Sequence, residues 1–250
     1  MSDRLNSDDW QSVQQHNTYL WFDKNLVNDV QNTWFSPEFW QQKNAVTGES
    51  KGRYTTYFVR TQSVDEQPLD MVLRHYYRGG LISKLSKRSF VFTGLGKARA
   101  YQELLMLSQM RALGLPVPRP IAAQVVKNKP WLCQNDILIE RIANARDLFH
   151  ILTEKALPEH IWQQVGKTIK QFHQQGVFHS DLNIHNILMD AEQKIWLIDF
   201  DRCAFKPQDK SWQQANIDRL QRSLLKEKSL NANFHFSDTQ WQQLLEGYQK

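Results

Sequence analysis

Cysteine is almost absent from this sequence of 250 residues: Cys133 and Cys203 are the only two, far apart and in no C-x-x-C pair. That excludes a disulfide framework and a cysteine-built zinc site, and a reducing cytoplasm fits. Long apolar runs are lacking too. Ile137-Leu138-Ile139 and Ile195-Trp196-Leu197-Ile198 fall far short of the roughly 20 residues a spanning helix needs, so any membrane contact is expected to be peripheral. The opening Met1 to Trp10 is polar and acidic, and no signal-peptide core follows it. There is no Gly/Ser linker and no internal repeat, so a domain boundary has to be read from a change of pattern.

What is present is enough for a sizeable core: 41% hydrophobic and 23% charged residues. Lys and Arg number 31 against 26 Asp and Glu, a net +5. Nucleic-acid binders, membrane-surface proteins and enzymes of anionic substrates all share such mild basicity, and charge alone does not choose among them.

The pattern changes near Ile142 to Asp147. Before it, Arg53 to Arg60 and Asp70 to Tyr77 read as strands, Lys97 to Leu113 as a helix stopped by Gly114, and Ile137 to Glu140 as a buried strand. After it, a helix runs from Pro158 through Ile161, Val165, Ile169 and Phe172 to Gly176. Val177-Phe178 is a short strand, and Asn186 to Met189 and Lys194 to Ile198 form a hairpin. Ser237 with Gln240 has a capping-box signature, ahead of an apolar face of Trp241, Leu244, Leu245 and Tyr248. Phe39 and Trp40 follow a helix start at Ser36-Pro37-Glu38 and read as core rather than as an interfacial anchor. Strands first and helices second predict an α+β, two-lobed molecule, with a β-rich lobe over 1–142 and a short, mostly helical lobe over 143–250.

The chemistry concentrates in His179-Ser180-Asp181-Leu182-Asn183-Ile184-His185-Asn186 and, one hairpin later, Asp199-Phe200-Asp201. A loop and hairpin can gather two carboxylates and an amide oxygen around one concavity. Those are hard oxygen ligands, suited to Mg²⁺ with phosphate completing its shell, and a further carboxylate can orient or deprotonate an acceptor hydroxyl.

This arrangement resembles the protein-kinase-like fold, whose catalytic loop reads H-x-D-x-x-x-x-N and whose metal-binding motif begins D-F. The resemblance implies ATP as phosphoryl donor, Asp181 as catalytic base, Asn186 and Asp199 as Mg²⁺ ligands, and His179 as a buried support. It makes Gly48 and Gly52 of Gly48-Glu49-Ser50-Lys51-Gly52-Arg53 the glycine-rich loop over the phosphates. Glu103 becomes the acidic half of the lysine–glutamate pair, an exposed helical glutamate being the bland reading, and Glu140-Arg141-Ile142 the adenine hinge. The chain departs from the pattern in three places. Arg74 stands where the family lysine is expected, with Lys51, Lys84 or Lys87 as alternatives for the phosphate clamp; Asp201 replaces a glycine; and Asn183 replaces a lysine that reaches the transferred phosphate.

Only 49 residues follow Asp201, with no A-P-E motif, which favours a small hydroxyl acceptor over a docked peptide. Seven Lys and Arg and no acid lie between Met71 and Gln102, either a solvated face or a surface for an anionic acceptor or lipid. Leu73-Arg74-His75-Tyr76-Tyr77-Arg78-Gly79-Gly80, with the loop and Asn186-Ile187-Leu188 downstream, resembles the lipopolysaccharide kinase family. What that resemblance implies is ATP-dependent phosphorylation of the 4-hydroxyl of 3-deoxy-D-manno-octulosonic acid (Kdo) on a lipid A precursor. The protein is then expected at the cytoplasmic face of a Gram-negative inner membrane, bound peripherally, with no nucleic-acid partner. A heptose or other small-molecule kinase of the same fold, a pseudokinase and a basic nucleic-acid module are the competing readings.

Overall fold

β-branched and aromatic runs punctuated by turn residues build a sheet in the first half of the chain. The computed structural model describes residues 5, 6, 8–51, 55–78 and 88–250, and the chain divides into two units, 1–109 with 119–141 and 110–118 with 142–250. In the first unit the strands are β1 (Trp10–Gln15), β2 (Thr18–Asp23), β3 (Val46–Lys51), β4 (Thr55–Gln62), β5 (Pro68–His75), β6 (Phe90–Val91), β7 (Pro120–Lys129) and β8 (Leu132–Glu140). Among the described residues they form one antiparallel sheet in the order β1-β2-β7-β8-β5-β4-β3, with β6 added to β8.

Alternation gives this sheet two faces. On one, Met71, Leu73, Leu138 and Ala122 pack beneath Val27, Val30, Phe35 and Trp40 from the segment after β2, which includes the short helix α1 (Pro37–Gln42). Trp40 is core, and its indole N–H donates to the Trp34 carbonyl at 2.6 Å. Helix α2 (Arg99–Ala112) belongs to the other face: Tyr101 packs on Trp21 with ring centroids 4.9 Å apart, and the Ala100 amide donates to Asn135.

The second unit contains β9 (Arg146–Asp147), α3 (Leu148–Glu154), α4 (Glu159–Gln174), β10 (Val177–Phe178), β11 (Ile187–Met189), β12 (Ile195–Leu197), β13 (Ala204–Phe205), α5 (Lys210–Leu230) and α6 (Asp238–Gln249). α4 buries Ile161, Trp162, Val165, Ile169 and Phe172, the apolar stripe read from the sequence. One expectation is corrected. Ser237 is the N-cap of α6, but its hydroxyl hydrogen-bonds the Gln240 side chain at 3.2 Å and caps no backbone amide. The two side chains meet each other rather than the helix end.

Two glycines set the contact of α4 with α6. A Cβ on Gly166 would lie 2.0 Å from the Leu244 carbonyl oxygen, and one on Gly247 would lie 2.0 Å from that of Gln163. Backbone stands at both positions, so relief requires moving a helix. Gly166→Ala and Gly247→Ala are each expected to destabilise the protein by roughly 1–3 kcal/mol, despite alanine's better helix propensity. Urea unfolding checks this, unchanged midpoints being the contrary result.

Candidate active site

The loop of interest begins where α4 ends. Gly176 has φ of +74°, and a Cβ there would sit 2.5 Å from the Lys206 carbonyl oxygen, so only glycine makes this turn without strain. The chain then passes through β10, paired with β13, and delivers His179 to a buried position.

His179 joins the two halves of the motif. Its Nε2–H donates to the Ile198 carbonyl at 3.0 Å, while its Nδ1 accepts the Asp181 amide at 3.1 Å. Only the neutral ring with its proton on Nε2 makes both bonds. Burial, the largest cause, holds the imidazole pKa below its ordinary value, against the opposing pull of the Ile198 carbonyl and the nearby Asp199 and Asp181 carboxylates.

Asp181 presents a half-exposed carboxylate. Arg219, on α5, donates to its Oδ1 from Nε at 2.9 Å and from a terminal nitrogen as well. Burial pushes the Asp181 pKa up, but the hydrogen bonds from Arg219 and Asn183 and the charges of Arg219 and His179 outweigh it, and the net shift is downward. Asn183 caps the following turn: its Oδ1 accepts from the amides of His185 and Asn186, and its Nδ2 donates to the Asp181 carbonyl. Asn186 also donates its Nδ2 to that carbonyl, at 2.9 Å, so that bond does not use its Oδ1. The Ile198 amide bonds the Asn186 carbonyl at 3.1 Å, bringing Asp199 to the same loop. Asp199 itself has φ of +64°, a left-handed conformation that aspartate tolerates better than most side chains. Phe200 behind it is buried between Phe172 and His179.

Sequence reasoning missed α5, which holds this loop by one polar face. Asn216 clamps the His179 backbone, accepting from its amide at 3.1 Å and donating to its carbonyl at 3.0 Å. Arg219 reaches Asp181, Ser223 accepts the Ile184 amide, and Glu227 bonds His185. These four stand three or four residues apart, the spacing of one helical stripe. The signal was there as Asn, Arg, Ser and Glu in helical register, but a search for apolar periodicity passes over it.

In the first unit Arg74 forms an ion pair with Glu103, and Tyr76 donates its hydroxyl to the same Glu103 oxygen. Glu103 is only 3% exposed, so it is not a solvated helical residue. The Tyr76 hydroxyl pKa is raised well above its ordinary value by burial first and by the Glu103 charge second. Gly48 lies within β3, facing Phe58 across the ladder, while Gly52, Lys84 and Lys87 lie outside the described residues. The backbone of Lys51 ends β3. Glu140 ends β8; its amide is committed to the Arg119 carbonyl and its carboxylate to the Arg119 amide. The next amide, of Arg141, bonds Asp70, and Ile142 opens the second unit.

Residues 37–248 match the profile of the Lipopolysaccharide kinase (Kdo/WaaP) family. The chain belongs to this family. The lipopolysaccharide kinases are phosphotransferases acting on a hydroxyl group, and this chain is one of them. It is 42% identical over 233 residues to the 3-deoxy-D-manno-octulosonic acid kinase of Photobacterium profundum, covering 93% of this chain and 95% of that one. The protein of the same name from Haemophilus influenzae (strain 86-028NP) is 42% identical over 239 residues, with coverage of 94% and 98%. That from Vibrio cholerae is 45% identical over 208 residues, with coverage of 83% and 86%. Among solved structures, WaaP in complex with acyl carrier protein matches with a TM-score of 0.51 at 16% identity, covering 89% of this chain and 88% of that one. The likeness is one of fold: the chain has a kinase-like α+β fold of helices and antiparallel sheet.

Two expectations follow from the site. Replacing Arg219 by Met removes the forked donor and leaves the burial, so the Asp181 pKa is expected to rise, read by carboxyl ¹³C NMR. A second concerns His173 on α4, whose pKa burial lowers from 6.5 to about 4. The unfolded chain takes up a proton there that the folded protein refuses, so stability should fall as pH drops from 6.5 toward 4, by about 1.4 kcal/mol per pH unit. His173→Gln is expected to flatten that part of a urea-midpoint-against-pH curve.

Proposed function

We propose that this lipopolysaccharide kinase transfers the γ-phosphoryl group of ATP to the 4-hydroxyl of Kdo on a lipid A precursor. The acceptor is supported by the relatives, which carry the name 3-deoxy-D-manno-octulosonic acid kinase. The reaction is supported by one observation above the others: Asp181, Asn186 and Asp199 are tied to a single loop by His179 and by the Asn186 side chain.

In this reading Asp181 is ionised throughout the physiological range and accepts a hydrogen bond from the acceptor hydroxyl, orienting its oxygen toward phosphorus and taking its proton as the new bond forms. Arg219 keeps that carboxylate in one rotamer. Asn186 and Asp199 offer two hard oxygen ligands, a set that fits Mg²⁺, which retains waters and phosphate oxygens around one or two protein ligands. Among the described residues no cluster of three or more His, Cys, Asp or Glu is placed to hold a metal, so the oxygen-and-phosphate set is the better fit than a closed protein cage. When bound, the ion would neutralise phosphate charge. Arg74, fixed by Glu103 and Tyr76, is the cation for the donor phosphates.

A glycolipid acceptor puts the enzyme's work at the cytoplasmic face of a Gram-negative inner membrane. No helix among the described residues is long and apolar enough to cross a membrane, so the association proposed is peripheral.

Incubation with Mg²⁺-ATP and Kdo-lipid A precursor should add one phosphate to Kdo, its position fixed by NMR of the product. Phosphate on another sugar would favour a heptose or related acceptor, and no transfer to any acceptor would favour a pseudokinase. Asp181→Asn and Asp199→Asn are each expected to cost at least about 100-fold in kcat, whereas full activity in either would remove that residue from the mechanism.

A further inference from the structure

The alternation of β5 leaves part of the Arg74-His75-Tyr76-Tyr77 motif unaccounted for. Arg74 and Tyr76 serve Glu103 on one face of the sheet. His75 and Tyr77 lie on the opposite face, His75 in a cross-strand row with Asp136 and Gln124. This row is polar where its neighbour, containing Ala122, Leu138 and Leu73, is apolar.

At its centre Asp136 is 1% exposed and fully engaged. Its Oδ1 accepts from His75 at 2.6 Å and Arg88 at 2.5 Å, and its Oδ2 accepts from Gln124 at 2.9 Å. A buried carboxylate demands such pairing. The pairing is nevertheless incomplete at its edges: Gln124 Oε1 and Arg88 Nε are buried with no hydrogen-bond partner among the described residues. Gln124 as a whole is 6% exposed. Both residues line a cavity of about 680 Å³ whose other walls include Phe35, Tyr57 and Tyr77.

The orphan atoms specify the chemistry of an occupant. Gln124 Oε1 needs a donor and Arg88 Nε an acceptor, and a hydroxyl supplies both. Charge argues against an anion: Arg88 is neutralised by Asp136, and Glu38, held by the Ser36 hydroxyl, adds a negative group to the lining. Aromatic walls beside amide and hydroxyl groups suit the alternating C–H and O–H surfaces of a sugar ring. The volume is within the usual range for a small-molecule site and far beyond that of one water.

We propose that this cavity, on the face of the sheet opposite the Arg74–Glu103 pair, is a second binding site, for an uncharged hydroxylated ring of the sugar class. It is independent of the phosphoryl-transfer chemistry, and its occupant is either a free sugar or a ring of a glycolipid headgroup.

Saturation-transfer-difference NMR on the full chain tests it, with methyl α-D-mannoside, N-acetylglucosamine, a deacylated lipid A disaccharide headgroup and, as an anion control, inorganic phosphate. Binding of at least one sugar is expected, weakened roughly tenfold by Gln124→Leu, which removes the orphan acceptor, and also by Tyr57→Ala at the cavity wall. The second variant keeps the test valid if the first fails to fold. Tighter binding of the headgroup than of the monosaccharides assigns the site to a glycolipid, and equal binding to a free sugar. Absence of sugar binding to the wild type, sugar binding unchanged in the folded variants, or phosphate binding that both variants abolish would overturn the proposal.

Discussion

A single neutral imidazole connects the two segments that carry Asp181 and Asp199, the carboxylates proposed to serve phosphoryl transfer. His179 takes the Asp181 amide on one nitrogen and gives its proton to the Ile198 carbonyl with the other. The loop carrying Asp181, the proposed base, and the strand end carrying Asp199 are thereby held at a fixed separation. Protonation would set an N–H against the Asp181 N–H, and burial prevents it. The histidine is buried and both of its ring nitrogens are engaged, so its part is to fix the positions of Asp181 and Asp199.

α5 provides the second constraint. A helix that approaches a catalytic loop usually contributes apolar packing, and Leu220 and Leu224 do so here. The stripe of Asn216, Arg219, Ser223 and Glu227 adds hydrogen bonds to four successive stations of the loop. Arg219 matters most, because Asn183 is occupied as a turn cap and has no positive charge to bring near a phosphate. A guanidinium from a distant helix stands beside Asp181 where the loop itself offers only an amide.

Much of this was legible in the sequence. The α+β fold class, the strands around Thr55 to Gln62 and Pro68 to His75, the ion pair of Arg74 with Glu103 and the spacing of Asp181, Asn186 and Asp199 could all be read, because local alternation and motif spacing encode them. What escaped was encoded in contacts between segments far apart in the chain. The Asn216 clamp joins residues 37 positions apart and the Arg219 pair residues 38 apart. The contact between Gly166 and α6 was equally hidden, since a glycine inside a helical pattern reads only as a weak position until the neighbouring backbone is known. The role of Ser237 was misread for the opposite reason: a local signature was present, and its two side chains satisfied each other.

Strand β5 and the two residues after it carry two chemistries in one short segment. Odd and even positions of one short segment answer to separate demands, Arg74 and Tyr76 to an acidic helix residue, His75 to a buried carboxylate on the reverse side and Tyr77 to the cavity beside it. Gain or loss of one residue between Met71 and His75 would exchange the two sets, presenting imidazole to Glu103 and guanidinium to the cavity. Substitutions within the segment can be accommodated singly, whereas a change of length disables both faces at once. Insertions in this family should therefore accumulate at the ends of this strand and not within it.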